Sequence, residues 1–416
     1  METGNRTLII FILGLLSAIG PFSIDMYLPG FPSIAGNLHT TVDKVGYSLS
    51  SFFTGVCMGQ LMCGPLLDRF GRKKPLIAGL LLYIIASFGC SFSPSVEMLV
   101  AFRFLQALGA CVAMVAPGAI VRDIFPVKEN AKIFSMLILI LGVSPILAPT
   151  AGSFLVASYG WQIVFIVLAV VAATILAVVI RWLPESRKPD PSLSLRPDAI
   201  IKAYTAVFKQ PQFITYAFAG AVAAAGLFAY IAGSPYVFMT MYGISEKGYG
   251  LIFSIIAVGL IGSSQLNNRL LRKYNSAQIL RVVLFTQTIT GLLLIAGVLT
   301  SILGLYSTIA LIFVFLSCQG FTFPNSAALA MAPFTQGAGS ASAMMGALQM
   351  IFGSLASAFV GLFFNSTAVP MAAIMALCCS GGLIILLAGH RRDKRDKYAA
   401  KQKDVEEQTF DMIEKY

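Results

Sequence analysis

Few side chains of this protein can do chemistry, and they stand where polar groups are costly to place. Asp25 lies in Pro21-Phe22-Ser23-Ile24-Asp25-Met26-Tyr27-Leu28-Pro29, and no other acid falls well inside an apolar run. A carboxylate withdrawn from water favours its neutral form, so such a group can take up and release a proton. Pro21 and Pro29 flank it and loosen the local helix by removing backbone donors. The alternative is that Asp25 sits at the mouth of the span and makes a structural bond. Arg103 lies in Phe102-Arg103-Phe104-Leu105-Gln106-Ala107-Leu108-Gly109. An arginine inside a span costs about 2.5–3.5 kcal/mol on insertion scales and is rarely decorative. It is near the start of its run, so snorkelling to water is the competing reading.

A third group is the run Gly64-Pro65-Leu66-Leu67-Asp68-Arg69-Phe70-Gly71-Arg72-Lys73-Lys74. Gly64 admits a close helix neighbour, and Gly71 permits a tight turn. Asp68 suits the N-terminus of a neighbouring helix. Arg72 can pair with Asp123 at the end of a later run, forming a polar latch that closes one side of the molecule. Plain surface charge is the other reading.

The elements that must hold these residues are apolar. The chain has 416 residues, is 57% hydrophobic and only 11% charged, with a mean hydropathy of +0.82. A soluble domain carries about 25% charged residues. The composition therefore excludes an ordinary soluble enzyme, a disordered chain and a collagen-like fibre. A bilayer crossing needs about 20 apolar residues, which predicts twelve spans, at 7–29, 43–66, 75–93, 96–121, 132–156, 161–183, 212–238, 247–268, 277–299, 304–331, 338–364 and 368–389. The first run lacks a small-residue cleavage site and reads as an uncleaved span.

Of 29 Lys and Arg, only Lys44, Lys247 and Arg103 fall elsewhere when the N-terminus is set in the cytoplasm. Both termini are then cytoplasmic. The net charge of +11 thus reflects topology, not nucleic-acid binding. The long polar segment 184–211 divides the chain into bundles 1–183 and 212–390, with a charged tail at 391–416. Matched halves point to a transporter with a midplane cavity. Gln265-Leu266-Asn267-Asn268-Arg269 echoes the Gly64 loop at the equivalent place. The seven cysteines lack metal-ligand spacing and read as small buried hydrophobes. His39 and His390 lie outside the spans, and Trp161 reads as an interfacial anchor. No P-loop, HExxH or GxSxG occurs, so no ATP, metal or other cofactor is expected and an ion gradient remains as energy source.

The Gly64–Lys74 loop resembles the signature loop of the major facilitator superfamily. The Arg103 segment resembles that superfamily's second motif, whose arginine faces the cavity and is tied to proton coupling. Gly142-Val143-Ser144-Pro145-Ile146-Leu147-Ala148-Pro149-Thr150-Ala151-Gly152 resembles its antiporter motif, with Ala148 and Ser153 in place of two glycines. The stretch from Pro21 to Pro32 resembles the first helix of the bicyclomycin and chloramphenicol resistance branch. Trp161 and Phe165 also fit. The resemblance, which covers nearly the whole chain, implies an all-α fold of two six-helix bundles around a central cavity, working as a monomer in a bacterial inner membrane.

It further implies proton-driven export of neutral or weakly charged drugs, such as amphenicols or bicyclomycin-like compounds, by alternating access. Asp25 would carry the proton and Arg103 would sense its charge. Gly64, Asp68, Arg69, Gly71, Arg72 and Asp123 would gate the inner side, and Gly142, Pro145, Pro149 and Gly152 would set the antiporter character. Tyr27, Gln60, Gln106, Phe228, Tyr230, Tyr236, Asn325 and Gln349 supply the aromatic and uncharged polar groups expected on a cavity wall. An exporter of an amino acid or siderophore, an importer, and a membrane-embedded enzyme are the competing readings. The last lacks a nucleophile–base pair or metal cluster.

Overall fold

The computed structural model describes residues 3–125, 127–190, 205–334 and 338–389. His390, residues 191–204 of the expected linker and the tail 391–416 lie outside the described residues. Among the described residues, twelve long helices run in sequence: α1 (Thr3–Asp25), α2 (Val42–Phe70), α3 (Lys73–Ser91), α4 (Val96–Ile124), α5 (Val127–Tyr159), α6 (Gln162–Trp182), α7 (Pro211–Pro235), α8 (Glu246–Leu270), α9 (Ser276–Leu299), α10 (Leu305–Met331), α11 (Ala338–Leu362) and α12 (Val369–Gly389).

Their ends follow local chemistry. Ser95 and Ser245 accept the exposed backbone N–H of Met98 and Gly248, and Asn275 with Gln278 forms a reciprocal cap on α9. Gly71 ends α2 at φ +80, a conformation that favours glycine.

Eleven of these helices are long and apolar enough to cross a bilayer, among the described residues. The exception is α2. At 29 residues it is about 43 Å long at 1.5 Å per residue, but Ser48, Ser50, Ser51, Thr54 and Gln60 dilute its apolar character. Protein accounts for that: α2 packs between α4 and α11.

The first span also differs from the expected single helix over 7–29. It breaks after Asp25, makes a short 3₁₀ turn at Leu28–Gly30 and continues as a helix over Phe31–Asn37. Pro29 and Pro32 begin these two pieces, where their fixed φ is suited and their missing N–H is not needed. Pro235 likewise precedes a π-helical turn at Tyr236–Met241.

Helices α1–α6 pack into one bundle. In the other, α7, α8, α9 and α10 pack in pairs and α11 joins through α7; α12 meets α7 and α9 through Gly382 and Gly291. The bundles meet along α2–α11 and α5–α8. The side-chain to side-chain hydrogen bonds here, among the described residues, are Ser50–Ser357, Thr54–Ser354 and Thr150–Ser254. All three lie in the half of the molecule away from the Gly64–Lys74 loop. At the loop end, nothing comes within 4 Å of a side chain built at Gly64 or Gly262. The close neighbour expected at Gly64 is therefore absent in this conformation.

Candidate functional site

Arg103 is fully buried on α4. Its guanidinium lies 4.3 Å from the Tyr27 ring centre, 4.2 Å from Phe52 and 5.8 Å from Phe165. It donates to Gln106 Oε1 at 2.5 Å and to the Ser23 carbonyl at 2.9 Å. Gln106 passes the contact on by donating to Ser87 of α3. The ring faces supply negative potential, and the two oxygens orient the planar fork. Snorkelling to water is thus not what this arginine does. Tyr27 and Gln106, expected on a cavity wall, are themselves fully buried beside it. A buried cation needs ring faces and acceptors, and these two provide them.

Asp25 is the last residue of α1 and is 5% exposed. Its Oδ1 is buried without a hydrogen-bond partner. No ion pair joins Asp25 to Arg103 in the structure. Arg103 instead holds the carbonyl of Ser23, two residues before the acid. The Ser23 hydroxyl is 2.7 Å from Tyr83 Oη of α3. From the second bundle, Tyr230 of α7 and Tyr249 of α8 feel the Asp25 charge.

The antiporter-type residues back this point. Pro145 and Pro149 lie inside α5. At Gly152 a side chain would overlap the carbonyl oxygen of Met26, the residue after Asp25. Gly142 has ordinary room, with Ile261 at 3.9 Å. Trp161, read as an interfacial anchor, is 2% exposed. Its Nε1 donates to Asn37 and ties down the short helix that follows the break.

The Gly64–Lys74 loop carries a second polar cluster. Arg72 Nη1 lies 2.7 Å from Asp68 Oδ1, and its Nε lies 2.7 Å from Asp123 Oδ2 of α4. Burial alone would lower the proton affinity of Arg72, but the bonds to Asp123 and Asp68 outweigh it and raise it above the usual arginine range. Arg72 therefore stays charged at any physiological pH. Arg69 takes part through its carbonyl, which accepts the Asp190 N–H.

The segment after α6 completes the cluster in a way the spacing did not reveal. Glu185 accepts the backbone N–H of Arg72 and Lys73, Ser186 donates to Asp123, and Arg187 pairs with Asp68 at 3.0 Å. Asp68 thus faces two arginines.

The remaining expected cavity residues divide. Phe228 of α7 packs edge-on against Phe53 of α2 at 4.6 Å. Gln60 is half-buried beside Gly346 of α11, with its Oε1 unpartnered. Gln349 is half-buried on α11. Tyr236 packs against Phe364 at 4.7 Å and lines a cavity of about 20 Å³ between the halves with Asp43 and Ser357. Tyr230 is buried and its hydroxyl makes no hydrogen bond.

Asn325 is buried inside the second bundle, donating to Asn267 of α8 at 2.7 Å. The sequence signal for Asn267 was its place in the degenerate echo of the Gly64 loop. Gln287 of α9 and Gln319 of α10 form another buried amide pair, at 3.1 Å. Sequence reading missed both members of that pair.

The model of the Major Facilitator Superfamily matches residues 13–361. The chain is 34% identical over 374 residues to an uncharacterized MFS-type transporter, YdgK, of Bacillus subtilis (strain 168), covering 89% of this chain and 92% of that one. It is 30% identical over 376 residues to a bicyclomycin resistance protein homolog of Haemophilus influenzae, covering 90% and 94%. In fold it is similar to the crystal structure of a D-xylose-proton symporter, with a TM-score of 0.72 at 14% identity over 91% of this chain and 97% of that one.

Proposed function

The chain belongs to the major facilitator superfamily, as a multi-pass membrane transporter and not an enzyme, and we propose that it exports small drugs in exchange for protons. The observation that carries this reading is Asp25. It is an acid at a helix break, buried beside a turn that packs on α7 and α8, with one oxygen unpartnered. An ionised carboxylate held there costs several kcal/mol, and protonation removes that cost. The similarity to a protein named for bicyclomycin resistance supports drugs as substrates. Amphenicols and bicyclomycin-like compounds are the first candidates.

In this cycle the basic loop end faces the cytoplasm of a bacterial inner membrane. The loop ends then open inward, and the hydrogen-bonded ends close the outer side. Asp25 releases its proton inward and a drug enters between the halves. Gln60, Gln349 and Phe228 contact it. The halves rock, the drug leaves outward, and Asp25 takes a proton from outside. Arg103 couples to this step through the Ser23 carbonyl. The Arg72 cluster keeps the loop end of the first bundle rigid, so that it opens and closes as a unit. The monomer needs no cofactor: one proton crossing 100 mV supplies about 2.3 kcal/mol.

The test is drug-evoked proton flux in proteoliposomes loaded with a pH-sensitive dye. Wild type should respond to amphenicols or bicyclomycin, and Asp25→Asn should not. Equal flux in Asp25→Asn ends the carrier role of Asp25. No flux in wild type with any drug points the search to metabolites.

A further inference from the structure

Among the buried polar atoms that lack hydrogen-bond partners are Asp25 Oδ1 of α1 and, from the other half, the Tyr230 hydroxyl of α7. The charge of Asp25 acts on Tyr230 and on Tyr249 of α8. The Leu28–Gly30 turn just beyond the acid packs on both of those helices. Tyr249 is engaged, its hydroxyl 2.9 Å from Ser234 Oγ. Ser234 stands one turn beyond Tyr230 on α7, and its hydroxyl is in that pair and also lies beside the Tyr230 hydroxyl. Tyr230 also packs its ring on Phe253 of α8 at 5.6 Å.

Most other charged and titratable groups around Asp25 are engaged; within its own half, Arg103 Nε and Asp43 Oδ1 are buried without hydrogen-bond partners. Arg103 of α4 is bonded to Ser23 and Gln106. Tyr83 of α3 is bonded to Ser23, and Tyr27 to Ser48 of α2. Cys90 of α3 lies with the Arg103 group. Asp43 and Tyr47 of α2 lie against Gly361 of α11. Residues 140–158 of α5, 162–180 of α6 and 341–362 of α11 contain no acid or base.

We infer that Tyr230 is the donor that the Asp25 carboxylate takes from the opposite half when it gives up its proton. The Asp25 O–H bond breaks and the proton leaves to water on the open side. The carboxylate oxygen then accepts the Tyr230 O–H, and the phenol keeps its own proton. Loss of the proton on α1 is thereby read directly by α7. This moves Tyr230 from substrate wall to proton site, and it rests on the reading of Asp25 as the proton carrier. A buried hydroxyl without a partner is costly in any one state, and a partner in the next state accounts for it.

The experiment uses the full-length purified protein and needs no substrate. Dicyclohexylcarbodiimide adds to a protonated carboxyl, so its labelling of Asp25, read by mass spectrometry, follows protonation. Tyr230→Phe should move the pH of half-labelling to more alkaline values by about one unit or more, because the carboxylate loses its donor. Tyr249→Phe should move it less. Placing 3-fluorotyrosine at position 230, a stronger donor of the same shape, should move it the other way. An unmoved midpoint in Tyr230→Phe, or a shift with 3-fluorotyrosine in the same direction, overturns the proposal. The carrier reading fails separately, through drug-evoked flux that survives Asp25→Asn.

Discussion

The two halves of this transporter build the same kind of interior contact from different chemistry. In the first, α3 and α4 are joined by Ser87, Gln106 and the Arg103 cation. In the second, the matching pair α9 and α10 is joined by Gln287 and Gln319. At the loop end, the first half ties α2 to α4 through Arg72 and Asp123, whereas the second ties α8 to α10 through Asn267 and Asn325. The Tyr27–Ser48 bond, from the break after α1 to α2, is echoed by Ser234–Tyr249 of α7–α8. Amides and hydroxyls keep helices in register without changing charge. These pairs of the second half therefore keep their charge state as pH changes, while the first half carries an acid and a cation. On the proposed reading, this asymmetry gives sensing to one half and response to the other.

This contrast can be broken or sharpened by substitution. The largest effect is expected at Arg103. Arg103→Ala removes a cation held by two hydrogen bonds and three rings, at a cost on the order of 3 kcal/mol. A lower melting temperature with loss of drug-evoked flux is the expected outcome, and near-normal melting would break the contrast. Arg72→Ala ranks next. It leaves Asp123 with Ser186 and Asp68 with Arg187, so insertion should stay intact while turnover falls several-fold. Transport at the wild-type rate would remove the cluster from the cycle. The smallest effect belongs to the neutral half. The double variant Asn267→Leu and Asn325→Leu removes both members of an amide pair together and should cost under about 1.5 kcal/mol. The pH dependence of flux should be unchanged, and a shifted profile would show that the second half also reports protons.

Much of this was legible in the amino-acid sequence, and the reason is simple. A span is apolar on all sides, so its length alone marks it, and a charge inside it stands out, as Asp25 and Arg103 do. The Arg72–Asp123 pair was legible because both residues sit at helix ends on one side. What could not be read was direction. An all-apolar helix has no polar face to show which way a residue turns, so Tyr27 and Gln106 looked like cavity wall and proved to be the setting of Arg103. Trp161 looked like an interfacial anchor and is buried against Asn37 for the same reason. The Glu185 cap on Arg72 and Lys73 joins residues more than 100 positions apart, and no local pattern encodes it. Gly152 against Met26 is a backbone contact, which side-chain chemistry does not announce.

The setting of Arg103 also bears on how the chain is built during synthesis. Tyr27, Phe52, Ser23 and Ser87 all precede it, and Gln106 follows by three residues. Only Phe165 comes from a later helix. By the time α4 leaves the ribosome, the Ser23 carbonyl and two of the three rings that this cation needs are already in the membrane, and α4 brings the Gln106 acceptor itself. The arginine can therefore be received as it arrives, and the order of helices along the gene doubles as an assembly sequence.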